Sequence, residues 1–198
     1  MKLDQDDFAL LGLPRRFALD AAVLSERCRA VQSKVHPDRF ASEGAAAQRL
    51  AMQWAVRINE AHRRLKDPLA RASYLCELAG HPLREHEGAA MPHEVLARQM
   101  EWHETLAAAT SPDAVHALER DVAARLKVVH DAVAADLDER HDAAAAAPKV
   151  REWMFLARLR SEIERRLEAL EHALASSEAV DGLRVAQAAI GAARRVPR

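Results

Sequence analysis

A chain of 198 residues has room for one large domain or two small ones, and 30% charged with 49% hydrophobic residues is the make-up of a soluble globular protein. The formal net charge of -1 gives no general attraction to nucleic acid or to an anionic membrane, and no apolar run is long enough to span a bilayer. Alanine-rich tracts and only 6 glycines favour helix throughout, and the segment Met1 to Asp7 lacks the apolar core of an export signal, so the expected location is cytoplasmic.

In chain order, Asp6 or Asp7 caps a short first helix ending near Leu11, with Gly12 and Pro14 as its stop. Asp20 caps a second helix on which Leu24, Cys28, Val31 and Val35 form one apolar stripe. Arg27 and Lys34 share a flank of this helix and Arg29 points away from the stripe; on an isolated helix such charges are an ordinary solvated face. The helix stops at Val35-His36-Pro37-Asp38-Arg39-Phe40, because Pro37 fixes its own φ and pushes His36 out of helical geometry. Beyond the loop, Leu50, Trp54, Ile58, Ala61 and Leu65 make a second stripe. The two stripes bury each other only if the helices run antiparallel, which displays the loop at the tip of a hairpin with Asp38 as a fixed, solvated carboxylate. Asp67 followed by Pro68 starts a fourth helix, and Gly80 is its C′ residue.

This arrangement resembles the J domain of DnaK-class co-chaperones, whose shared tripeptide is His-Pro-Asp in the hairpin loop. The likeness extends to Asp7-Phe8-Ala9-Leu10-Leu11-Gly12-Leu13-Pro14 before the loop, and to Ile58-Asn59-Glu60-Ala61, Leu65-Lys66-Asp67-Pro68 and Arg71-Ala72-Ser73-Tyr74-Leu75 after it. Phe40 and the Arg71 to Leu75 stretch are similar to one branch, the HscB co-chaperones of iron–sulfur cluster assembly. The resemblance implies that His36, Pro37 and Asp38, with the basic Arg27, Arg29 and Lys34, dock on the acidic nucleotide-binding domain of a DnaK/HscA-class ATPase chaperone.

Residues 80–92 contain two prolines and no periodic pattern, and read as a connection between domains. A helix from about His93 to Ala108 follows, with Val95, Trp102, Leu106 and Ala109 on one narrow stripe. Leu96, Ala97, Met100, Glu101 and Glu104 occupy an adjacent face. Ser111-Pro112 starts a helix carrying Val115, Leu118, Val122, Leu126, Val129, Val133 and Leu137, and Pro148 interrupts the Ala143 to Ala147 run. The last long helix carries Leu156, Leu159, Ile163, Leu167, Leu170 and Leu174, a stripe suited to a small antiparallel three-helix bundle. Met154 lies opposite that stripe and Phe155 about a right angle from it. These leftover apolar positions are candidates for an exposed patch, unless the first domain covers them. Past Ala179, Val180, Leu183 and Ile190 suggest one more weak helix of unknown role.

In HscB proteins the cluster scaffold IscU binds through apolar and acidic residues of this kind. The resemblance therefore implies client binding by Leu96, Ala97, Met100, Glu101, Glu104 and Phe155, with Ala97 smaller than the usual family side chain. The expected fold is all-α, with a J domain over 1–79, a linker over 80–92, a client-binding bundle over 93–176 and an extension over 177–198. No catalytic residues, cofactor or metal are expected, since no phosphate loop or nucleophile elbow occurs and Cys28 and Cys76, far apart and outside any Cys-x-x-Cys arrangement, cannot build a four-ligand zinc site by themselves. The expected function is delivery of an IscU-type scaffold to the chaperone with stimulation of its ATP hydrolysis. The alternative is a J-domain adaptor for a different client, although no Gly/Phe-rich linker or zinc-binding cysteine repeat marks a generalist. A nucleic-acid binder using Arg27, Arg29 and Lys34, or an enzyme using His36 and Asp38, has little support from the near-neutral charge and the exposed tip.

Overall fold

The computed structural model describes residues 4–36, 44–83 and 93–193, with side chains as far as 176. Among the described residues all regular structure is helical: α1 (Asp7–Leu11), α2 (Ala21–Lys34), α3 (Ala45–Lys66), α4 (Pro68–Leu78), α5 (His93–Ala108), α6 (Pro112–Ala134), a π-helical turn (Ala135–Glu139) and α7 (Ala143–Ala193). The chain forms two compact units, Met1–Ala90 with Lys127–Met154, and Met91–Leu126 with Phe155–Arg198.

Local chemistry sets the helix ends as the sequence suggests. The Asp6, Asp20 and Asp67 carboxylates accept the first free N–H groups of α1, α2 and α4, and Pro68 stands at the start of α4 where its missing N–H costs nothing. Gly12 (φ 65°) and Gly80 (φ 83°) close α1 and α4 in the left-handed region, with Leu13 and His81 N–H groups returning to the Phe8 and Cys76 carbonyls.

In the first unit, Phe8, Leu11, Leu24, Cys28, Val35, Ile58, Ala61, Leu65 and Tyr74 form the core of the α2–α3 hairpin and its flanking helices. Leu50 is a correction: it is 49% exposed, and Ala51 takes the buried position. Leu50, Arg57 and Arg64 lie seven residues apart on one flank of α3. The latter two reach α1, where Asp7 is wholly buried and its oxygens lie 2.6 Å from Arg57 and 3.0 Å from Arg64. These are ion pairs set off the ideal hydrogen-bond direction. Asp7 N–H donates to the Tyr74 hydroxyl at 3.0 Å, and Arg64 also lies over the Tyr74 ring. A helix of about five residues is only about 7 Å long, so α1 covers Arg57 and Arg64 and leaves Leu50 in solvent.

The loop between α1 and α2 is held from both sides. Phe17 is buried against His130 and Trp153, at ring separations of 5.3 and 6.0 Å, while the Arg71 guanidinium lies over its ring, 5.2 Å from the centroid. The buried Arg71 donates to the carbonyls of Phe17 and Leu65, and burial lowers its pKa. From the π turn, the two oxygens of Asp138 accept the Phe17 and Ala18 N–H groups, both at 2.7 Å. The extra residue of a π turn re-aims the side chains after it, and here it leaves two acidic neighbours with separate jobs. Asp136 turns inward, accepting from Arg140 at 2.6 Å and Lys149 at 2.6 Å.

Burial pushes the Asp136 carboxyl up, but hydrogen bonds and positive charge from Lys149 and Arg140 outweigh it, and the pKa ends below the usual value. A depressed folded-state pKa gives stability that is present above the unfolded value, near 3.9, and is lost as pH falls through the folded one. Asp136→Asn should therefore cost about 1.5–3 kcal/mol at pH 7, with the gap to the native protein closing below about pH 4. Urea titrations of both proteins at pH 7 and pH 3 check this; a gap independent of pH would exclude the charged contact as its cause.

Two further expectations are corrected in α7. Pro148 does not interrupt the helix: Asp142 caps it at Ala143, through a bond from Ala145 N–H at 2.8 Å, and the helix carries Pro148 within it near its start. Proline there forfeits one bond, to the Ala144 carbonyl. At the far end α7 continues to Ala193, so the weak extra helix expected around Leu183 is part of α7.

In the second unit α5, α6 and α7 make the bundle, with Trp102, Leu106, Ala109, Val115, Leu118, Val122, Leu156, Leu159 and Ile163 buried. Arg166 donates to the Ala109 carbonyl at 2.7 Å, tying the end of α5 to α7.

Candidate functional site

α2 ends at Val35, which is buried in the hairpin core, and His36 follows it into solvent. Pro37 and Asp38 lie outside the described residues. Arg27, Arg29 and Lys34 are all exposed. They do not form one face: Arg27 and Lys34 share a flank, whereas Arg29 is about 200° around the axis from Arg27 at 100° per residue. Arg29 lies on the side where Gln32 bonds Asn59 of α3 at 2.7 Å. The Gln32 bond and the Leu24, Cys28 and Val35 contacts fix the roll of α2, and so fix which basic side chains look outward.

On α5 the buried stripe includes Gln99, Trp102 and Leu106. The roll that buries them puts Leu96 at 49% and Met100 at 58% exposure, and leaves Ala97, Glu101 and Glu104 exposed. Phe155 of α7 is half-buried beside this face. Its ring stacks on Trp102, with centroids 6.4 Å apart and planes at 12°, and stands edge-on to His103 at 5.5 Å and 76°. Leu96, Met100 and Phe155 thus offer apolar surface, with the carboxylates of Glu101 and Glu104 on the neighbouring strip of the helix.

The sequence reading omitted His103 and Glu162. His103 is three residues from Met100 and seven from Leu96, on the same flank of α5, and its Nδ1 lies 3.6 Å from a Glu162 carboxylate oxygen. Glu162 is in turn seven residues from Phe155. These spacings were available as a signal, yet a polar residue on a half-exposed flank carries no periodicity of its own.

Among the described residues no group of three or more His, Cys, Asp or Glu side chains is arranged to hold a metal ion, and no helix is long and apolar enough to cross a membrane. Burial raises the pKa of Cys28 and pushes that of Cys76 up to about 11.

Residues 91–164 match the HSCB C-terminal oligomerisation domain family. Curated relatives include the co-chaperone protein HscB homologue of Bordetella petrii, 48% identical over 159 residues that make up 80% of this chain and 94% of the relative. The homologue of the same name from Aromatoleum aromaticum is 45% identical over 172 residues, covering 85% and 97%. Among solved structures, chaperone HscB from Vibrio cholerae superposes with a TM-score of 0.70 at 34% identity, over 84% of this chain and 99% of that one. The human co-chaperone protein HscB superposes with a TM-score of 0.77 at 28% identity, over 84% of each chain. The all-helical fold, with its N-terminal J domain and C-terminal helical bundle, is the fold of those structures, and with this identity over four-fifths of its length the chain belongs to the HscB co-chaperone family.

Proposed function

We propose that the protein delivers an IscU-type iron–sulfur scaffold to a DnaK/HscA-class chaperone in the cytoplasm and stimulates that chaperone's ATP hydrolysis. The observation that carries this reading is the exposed apolar pair Leu96 and Met100 beside a braced Phe155, in a chain nearly half identical to co-chaperones of the HscB family. In this division of labour the J domain, 1–79, engages the chaperone through His36, Pro37 and Asp38 together with Arg27, Arg29 and Lys34. The bundle, 93–176, holds the scaffold through Leu96, Ala97, Met100, Glu101, Glu104 and Phe155. Residues 80–92 link them, and the extension 177–198 has no assigned part. Tethering both partners to one chain raises the local concentration of scaffold at the chaperone, and this needs no chemistry from the co-chaperone itself.

The test is ATP turnover by such a chaperone with this protein and the scaffold added separately and together. Turnover should rise most with both present, and Asp38→Asn should return it to the basal rate while scaffold binding, measured by titration calorimetry, stays unchanged. Full stimulation by a folded Asp38→Asn protein would exclude the J-domain mechanism.

A further inference from the structure

We propose that Trp102, buried in the bundle, is a positioning residue of the client face: its indole fixes the Phe155 ring in the orientation that the scaffold meets. The inference rests on the client-face reading above. Phe155 stands on α7 directly before Leu156, and the buried stripe of Leu156, Leu159 and Ile163 sets the roll of that helix. At 100° per residue the roll leaves Phe155 at the edge of the stripe, half-buried, so the core does not enclose its ring. What stands beside it is the Trp102 indole, 8% exposed, with centroids 6.4 Å apart and planes at 12°. This is an offset stack, an arrangement that aromatic pairs favour. The indole backs part of one face, and the ring keeps a side for a partner.

The place of the tryptophan in the core supports the same role. Among the described residues, the other buried hydrophobic side chains of the second unit are Leu, Ile, Val and Ala. Its one buried aromatic falls where Phe155 leaves the core stripe. Leucine also packs well in a small helical core but presents no flat face. Packing holds Trp102 itself in place, so it acts as a fixed wall. The other ring beside Phe155, that of His103, has a half-exposed side chain and is a poorer support. A ring already ordered in the free protein spares the complex part of the ordering that binding would otherwise impose, and preorganisation of this kind raises affinity.

A double-mutant cycle tests the proposal, with purified IscU-type scaffold titrated into full-length native, Trp102→Leu, Phe155→Ala and doubly substituted protein well below their melting temperatures. Trp102→Leu should weaken the complex about two- to tenfold, the range an aromatic pair supplies beyond buried area. In the Phe155→Ala background the same change should have no further effect, because its influence passes through the ring. Trp102→Phe, which keeps an aromatic face, should retain most of the affinity. Leu106→Ala truncates the same buried stripe outside the ring stack; it should lower the melting temperature and leave affinity as it is. If Trp102→Leu does not fold, Trp102→Met, apolar and flexible without a flat face, takes its place in the cycle. Native affinity in the folded Trp102 variant, or an equal loss with and without Phe155, would overturn the positioning role while the client face stands. Unchanged affinity in Phe155→Ala removes Phe155 from the client face, and the positioning role with it.

Discussion

Phe17→Ala should lower the stability of the unit that contains it by about 3–5 kcal/mol, the range for removing a buried phenyl group. Phe17 is 2% exposed, with His130 and Trp153 meeting its ring in edge geometry and the Arg71 guanidinium lying over it. Alanine leaves a cavity lined by two rings, and it leaves a buried guanidinium without the ring beneath it. The Arg71 bond to the Phe17 carbonyl and the Asp138 bonds to the Phe17 and Ala18 N–H groups are to backbone and survive, so the loop stays attached around a void. For a protein of this size each kcal/mol moves the melting temperature by about 2–4 °C, which puts the fall at roughly 6–20 °C. Phe17→Leu, which keeps most of the volume, should recover more than half of it. A fall of under about 3 °C for alanine, less than the 1 kcal/mol of an ordinary substitution, would mean that the aromatic cluster is not what holds the loop.

That cluster also marks where the sequence stops being legible. Stripes and caps are local: Asp20, Asp67 with Pro68, Gly12 and Gly80 announce helix ends through the few residues beside them, and the structure has them there. Phe17 sits in an aperiodic loop and its partners are distant in the chain, Arg71 by 54 residues and His130 and Trp153 by more than a hundred, so no window of sequence contains the reason for its burial. Asp7 is similar. As one of two adjacent aspartates it reads as a cap, yet Asp6 does the capping, and the Asp7 carboxylate is buried between Arg57 and Arg64. Leu50 and Ala51 show the limit of periodicity itself, since neighbours 100° apart both fit a broad stripe, and the extent of α1 decides between them. On the client face, the sequence set Leu96, Met100 and Phe155 apart from the core stripes, and they are the partly exposed ones. The spacing places His103 and Glu162 on the flanks of Met100 and Phe155, but that the two side chains meet follows only from α5 and α7 lying side by side.

Leu96→Ala, Met100→Ala and Phe155→Ala combined should weaken scaffold binding by at least about 2 kcal/mol, or roughly thirtyfold in Kd, because truncated apolar anchors near the centre of an interface commonly dominate its affinity. The structure separates this from a stability effect. Leu96 and Met100 are 49% and 58% exposed, so shortening them opens no cavity, and such surface changes usually stay within about 0.5 kcal/mol. Phe155 is half-buried on Trp102, and its truncation accounts for any fall in melting temperature that the triple variant shows. Melting temperature and Kd measured on the same samples therefore distinguish a lost anchor from a damaged bundle, and the Leu96→Ala, Met100→Ala double variant should lose affinity with no loss of stability. Glu101→Lys with Glu104→Lys probes the neighbouring acidic strip independently: reversing exposed charges should slow association and change its salt dependence while the bundle stays folded. If neither the apolar nor the charge variants alter scaffold binding, while the chaperone's ATP turnover still responds to the protein, then the client of this J-domain protein is a different one, or it docks on another face of the bundle.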